Sequence, residues 1–249
     1  MKKLLILIFL IPAFCLGCNT TNDKQTIFVL TSVGHEYKAD TLVPAYIRKK
    51  FTRAKVIHLN IDKKDFSKNN YSLLDSLKKA DLFVVASHRC TVPEDKMKII
   101  KAYVKSGKPV LGIRTASHGL SLRAKKKQKP VKGHGQWPTF DGEVFGGNYH
   151  GHIKGRKPTA VSVKAKHEIL NGVKPFTSTS WLYNVKPIKK GATVLLQGKG
   201  GGSDEPVAWT FKTASGGKVF YTSLGHQDDF KEPSFIKLLD NACDWILKK

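Results

Sequence analysis

The stretch Pro109-Val110-Leu111-Gly112-Ile113, followed at once by Arg114-Thr115-Ala116-Ser117-His118, carries the reading of the fold. It is a short continuous apolar run, as expected of a strand buried on both faces, and it gives way abruptly to a polar turn. Three earlier runs share the form, at residues 27–30, 55–59 and 82–86, so the four begin at positions 27, 55, 82 and 109. Near-equal spacing with helical patterns between the runs predicts βα units and a buried parallel sheet. Residues 93–106 place Met97, Ile100 and Val104 on one helical face, with Pro93 at the start and Gly107 at the end. Residues 42–51 and 71–79 read as shorter helices. The units share no repeated signature, which favours a doubly wound sheet over a repeat array.

Outward from this core, strand-like segments return at residues 160–163, 193–196, 206–211 and 218–222, and Gly200-Gly201-Gly202-Ser203 reads as a turn. Residues 233–247 form the clearest helix, with Phe235, Leu238, Leu239, Ala242 and Ile246 in one apolar stripe. Residues 123–132 are dominated by Arg and Lys without apolar period and read as an exposed loop. No linker divides the chain. The expected fold is α/β, one domain over residues 26–249 with a doubly wound, mostly parallel sheet flanked by helices.

Of the 249 residues, 41% are hydrophobic and 10% aromatic, enough for a core and too many for a disordered chain. Against 43 Lys and Arg stand 19 Asp and Glu, a formal charge of +24 that makes polyanions or an anionic membrane surface plausible neighbours. Four cysteines are too few for a disulfide scaffold of this size. Lys2 and Lys3 precede an apolar run from Leu4 to Leu16, which has the length of an export signal and falls short of a membrane span. The run ends in Leu16-Gly17-Cys18, which resembles a bacterial lipobox, with Cys15 where a leucine is usual. The expectation is a signal peptide over residues 1–17, lipidation of Cys18, a polar tether over residues 18–25, and a place in the bacterial cell envelope, periplasmic or surface-facing.

Ligands of open parallel sheets bind outside the carboxyl ends of the strands. Directly after the runs come Gly34-His35-Glu36, Ser87-His88-Arg89-Cys90, Arg114 through His118, and Leu224-Gly225-His226-Gln227-Asp228, while the glycine-rich middle adds Asn148, Tyr149, His150 and His152. Six of the nine histidines thus fall where a site is expected. Gly112-Ile113-Arg114-Thr115-Ala116 occupies the place of a nucleophile elbow, but arginine stays protonated and cannot attack a carbonyl. The motifs of α/β-hydrolases, dinucleotide-binding folds and P-loops are absent. Imidazoles move protons near neutral pH, which suits acid–base chemistry on a bound ligand. On this reading His35, His118, His152 and His226 are the proton-transfer groups, Arg114 orients an oxyanion or carboxylate, and Glu36, Ser117, Asn148, Tyr149 and His150 contact substrate. For Tyr149 and Trp137, stacking on a ligand and packing in the core are both open. A divalent metal held among His35, His118, His150, His152 and His226 is a second version of the site, although no local spacing matches a metal signature.

Several motifs together resemble the ThuA-like (trehalose utilisation) family. They are Gly112-Ile113-Arg114-Thr115-Ala116-Ser117-His118, Phe145-Gly146-Gly147-Asn148-Tyr149-His150-Gly151-His152, His167-Glu168-Ile169-Leu170-Asn171-Gly172, Pro206-Val207-Ala208-Trp209, and Gly217-Lys218-Val219-Phe220-Tyr221-Thr222-Ser223-Leu224-Gly225-His226. The resemblance implies a class I glutamine amidotransferase-like (flavodoxin-like) fold without the cysteine nucleophile, and a link to oxidised sugars or glycosides. Two departures stand out: Arg114 where the family often has histidine, and Ser180-Trp181-Leu182-Tyr183 where an Asp-Glu-x-Tyr element is common. The expected protein is a lipid-anchored carbohydrate hydrolase, lyase or isomerase, and not an amidotransferase. The alternative is a non-catalytic carbohydrate-binding or scaffold protein using the same pocket. Nucleic acid is not expected as a partner, since the chain reads as exported and carries no such motif.

Overall fold

Alternation of side chains across a pleated strand, with both faces apolar, forces a sheet to be covered on both sides. In the first strand, β1 (Thr26–Ser32), Ile27 and Val29 join one hydrophobic cluster, while Phe28 and Leu30 join the other. The same split recurs in β3 (Leu82–Val85) and β4 (Val110–Ile113), where Leu82, Val84, Leu111 and Ile113 face one way and Phe83, Val85 and Val110 the other. A computed structural model of the chain describes residues 24–34, 37–123, 126–155 and 157–248. The expected signal, Cys18 and most of the tether, together with His35 and Glu36, lie outside the described residues.

Nine strands form one sheet. Besides β1, β3 and β4 they are β2 (Lys55–Ile61), β5 (Thr159–Val163), β6 (Phe176–Ser178), β7 (Thr193–Gly200), β8 (Ser203–Lys212) and β9 (Lys218–Thr222), in the order β2-β1-β3-β4-β9-β8-β7-β5-β6. The five strands from β2 to β9 are mutually parallel. From β9 to β6 every pairing is antiparallel. The expected parallel α/β core is therefore present and carries an antiparallel extension. The β7–β8 hairpin turns at Gly201 and Gly202, both at positive φ, where the glycine run predicted a turn.

Helices α1 (Ala39–Lys50) and α3 (Pro233–Leu247) cover the face that holds Ile27 and Val29, while α2 (Glu94–Lys105) covers the other. Helix α3 starts with Pro233 in its first turn, and the Glu232 side chain accepts from the Ser234 N–H, a pairing that satisfies an orphan donor. Residues Tyr71–Lys79, read from the sequence as a short helix, form a 3₁₀ helix. Its buried leucines, Leu74 and Leu77, are three apart, the spacing at which side chains of a 3₁₀ helix eclipse. The middle of the chain holds a π-helical turn at Asp141–Phe145, and its Phe145 ring lies against Gly112 of β4. Among the described residues no helix is long and apolar enough to cross a membrane.

Candidate functional site

At the carboxyl end of β4 the chain turns sharply into a 3₁₀ turn, Arg114–His118, and Arg114 takes φ +52°. A left-handed backbone at a non-glycine residue is strained and persists only where surrounding bonds fix it. Here the Tyr221 hydroxyl donates to the Arg114 carbonyl at 2.7 Å. One terminal nitrogen of the guanidinium donates to the carbonyls of Trp181 (2.9 Å) and Ser223 (2.5 Å), and the other reaches the Tyr37 hydroxyl at 3.3 Å. The planar group lies between the rings of Tyr37 and Tyr183, 4.6 and 4.2 Å from their centroids. Arg114 is buried, so its charge ties together the ends of β4 and β9 and the residue 181–183 segment.

His118 closes the same turn. Its Nδ1 is 3.0 Å from Ser117 Oγ, and its ring stacks on Tyr149 with centroids 4.2 Å apart and planes 24° from parallel. The His88 ring meets it edge-on at 5.2 Å, and Tyr183 lies 5.9 Å away. Tyr149 also packs on Tyr183 at 4.6 Å, so the ring cluster is continuous with the Arg114 sandwich. Burial raises the Tyr149 hydroxyl pKa, while the neighbouring Arg89 and Arg114 pull it the other way.

His226 follows β9. Its Nδ1 is 2.7 Å from Thr179 Oγ1 and 3.4 Å from an Asp228 carboxylate oxygen, and its ring meets Tyr37 at 5.7 Å. The backbone beneath it is held by Asp229, which sequence reasoning missed. The buried Asp229 carboxylate accepts from the hydroxyls of Ser178 and Ser180, both at 2.7 Å, and from the N–H groups of Gly225 and His226 at 2.8 and 3.0 Å. His152 lies opposite Tyr183 in a two-residue antiparallel ladder, and its ring sits 5.0 Å from that of Trp181. His150 is exposed, with Nδ1 2.8 Å from the Asn148 carbonyl, and the Asn148 amide donates to the Lys186 carbonyl.

The structure thus brings His118, Ser117, Tyr149 and Arg114 into one cluster, with His226 reaching it through Tyr37. It leaves His150 and Asn148 at the surface. Trp137 is in the core, its ring N–H donating to the Glu143 carboxylate at 3.0 Å. His167 caps a 3₁₀ turn, accepting from the Ile169 N–H. Among the described residues no group of three or more His, Cys, Asp or Glu is placed to hold a metal ion. Cys90 is buried, its thiol pushed up to about 11 by desolvation, the opposite of an activated nucleophile.

A second carboxylate unforeseen from sequence is Asp141. One oxygen accepts the Tyr149 N–H at 2.7 Å, and the other is buried without a partner. Burial pushes its pKa up to about 7, only partly opposed by the bond from Tyr149. Gly147 lets the chain pass over this group, since a Cβ there would come within 2.4 Å of it.

An open α/β sheet, polar side chains gathered at its strand ends, and an elbow turn that carries arginine define an amidotransferase-like protein without the elbow nucleophile. The family model described as ThuA, trehalose utilisation, matches residues 26–246, and the chain belongs to that family. Among solved structures it is similar to a ThuA-like protein from Parabacteroides merdae, with a TM-score of 0.63 and 15% identity over 90% of each chain. The N-terminal domain of mmIFT52 matches with a TM-score of 0.56 and 13% identity, covering 90% of this chain and 98% of that one. A β-galactosidase from Rahnella sp. R3 matches with a TM-score of 0.54 and 13% identity, over 91% of this chain and 32% of the enzyme. At these identities the likeness concerns the fold. No curated protein matches the chain.

Proposed function

We propose that this protein processes carbohydrates of the trehalose or keto-sugar glycoside type at the strand-end cluster, with His118 as the principal proton-transfer group. The observation that carries the reading is the stacked His118–Tyr149 pair on the elbow turn, with Ser117 fixing the imidazole. An imidazole held in one orientation beside an aromatic face suits proton transfer to a sugar oxygen or from a sugar carbon. His226 is the second proton carrier. Arg114, with one terminal nitrogen on two carbonyls and the other on the Tyr37 hydroxyl, is a positioning residue that orients Tyr37 and Tyr183. His152, beside Trp181, belongs to the sugar-contacting rim. Turnover of 3-keto and unoxidised disaccharides by the full chain, with and without added divalent metal, tests the reading. His118→Ala should lower kcat by about 10²–10⁴-fold, the usual contribution of a proton-transfer group. Undiminished turnover would remove His118 from the chemistry, and tight sugar binding without turnover would favour the non-catalytic alternative.

The same proposal places the protein in the bacterial cell envelope, held to a membrane through lipidated Cys18. Changing Cys18 to Ala should release it from membranes or stall its processing. A variant that matures and fractionates as the parent does would overturn the anchor.

A further inference from the structure

Beside His118, between the ends of β2 and β3 and residues 122–123 and 128–131, lies a cleft of about 430 Å³, within the range typical of small-molecule sites. Four cations, Lys63, Arg89, Arg123 and Lys129, line it together with His88, and among the described residues no carboxylate does. None of these four cations takes part in a salt bridge among the described residues. Gathering like charges without a counter-charge costs free energy, and more so away from bulk water.

Two of the cations are built into place. Lys63 donates to the His88 carbonyl at 2.8 Å, and its Nζ is 3.3 Å from His88 Nδ1. Arg89 adopts φ +50°, locked by its N–H to the His118 carbonyl (3.2 Å) and by the Cys90 N–H to the Gly119 carbonyl (2.6 Å). Its guanidinium donates to the Ser121 carbonyl at 3.3 Å, while its Nε is buried with no hydrogen-bond partner. Burial and the nearby Arg123 both work against its charge. A strained, half-buried arginine fixed beside further cations is the arrangement that recognises an oxyanion, since guanidinium matches carboxylate and phosphate geometry.

We propose that this cleft binds a compact oxyanion carried by a sugar, so that the ligand of the adjacent site is a sugar acid or a sugar phosphate. The sugar part rests on the carbohydrate reading above, and the anion part rests on the cleft alone. The ring of His88, which lines the cleft, stands 5.2 Å from that of His118, close enough for one ligand to reach both.

Calorimetric titration of the full chain with glucuronate, glucose 6-phosphate, inorganic sulfate and glucose tests the proposal. At least one charged sugar should bind roughly tenfold tighter than glucose, with an affinity that falls as salt is added. Preference for glucuronate assigns the carboxylate, and preference for glucose 6-phosphate assigns the phosphate. Arg123→Gln and Lys129→Gln, both at exposed positions, should each weaken that binding with unchanged thermal stability, whereas Lys105→Gln, outside the cleft, should not. Charged sugars and sulfate that bind no better than glucose, or charged-sugar affinity untouched by the Arg123 and Lys129 variants, would overturn it. Failure of the carbohydrate reading looks different: no disaccharide would be bound or turned over, while sulfate still bound with an affinity that the Arg123 and Lys129 variants weakened.

Discussion

Asp141 shows how one buried carboxyl links the cluster to pH. In the unfolded chain it titrates near 3.8, and in the folded one at about 7. Between these values the folded protein keeps a proton that the unfolded chain has released. Its contribution to stability is therefore complete below about 3.8 and is lost as pH rises through 7. Asp141→Asn should flatten the stability profile and make the variant the more stable form by about 1–3 kcal/mol at about pH 8. Urea unfolding at several pH values checks this. At Asp229 four donors converge on one carboxylate, and Asp229→Asn turns amide hydrogens toward them, with an expected loss of about 2–3 kcal/mol. The strand-end rule made Arg114, Ser117 and His118 legible, because a polar turn after a buried strand has a local signature. Asp229 and Tyr183 had none. Asp229 bonds Ser178, 51 residues away, and Tyr183 meets Arg114 across a comparable gap, so only the folded chain defines either.

At the scale of elements, β1, β3 and β4, buried on both faces, were readable as apolar runs, while the run at residues 55–59 became β2, a partly buried strand at the sheet edge, and all four strands are parallel. The antiparallel extension was less legible. Strand β5 alternates buried and exposed residues over only part of its length, and β6 has three residues, too few for any period. Pairing direction there depends on the β7–β8 hairpin rather than on composition. Strand β4 supplies a direct test of packing. A Cβ on Gly112 would lie 2.5 Å from the Phe145 ring and 2.8 Å from that of Tyr221. Gly112→Ala should thus overpack the core and destabilise by about 1–3 kcal/mol. It should also shift Tyr221, whose hydroxyl holds the Arg114 backbone, so a change in turnover is expected to accompany the lower Tm. A variant as stable as the parent would mean that the Phe145 turn yields freely.

Over the whole molecule, a formal charge of +24 makes self-repulsion a standing term in stability. Raising ionic strength from about 0.01 M to about 0.15 M shortens the Debye length from about 30 Å to about 8 Å. The Tm should climb by about 2–4 °C, readable by calorimetry. The direction of the chain through the sheet has a different kind of consequence. Strand β1 begins beside Asp81, whose carboxylate accepts the Thr26 N–H, and it runs about 20 Å to the histidine rim. Helix α3 runs back, and the Lys248 carbonyl accepts from Lys218 at the start of β9. Both ends of the described chain therefore emerge at the foot of the parallel strands, under the cup whose lip holds His118 and Arg89. A support that grips the chain beside residue 24 or residue 248 therefore holds it at the end of the parallel strands opposite His118 and Arg89.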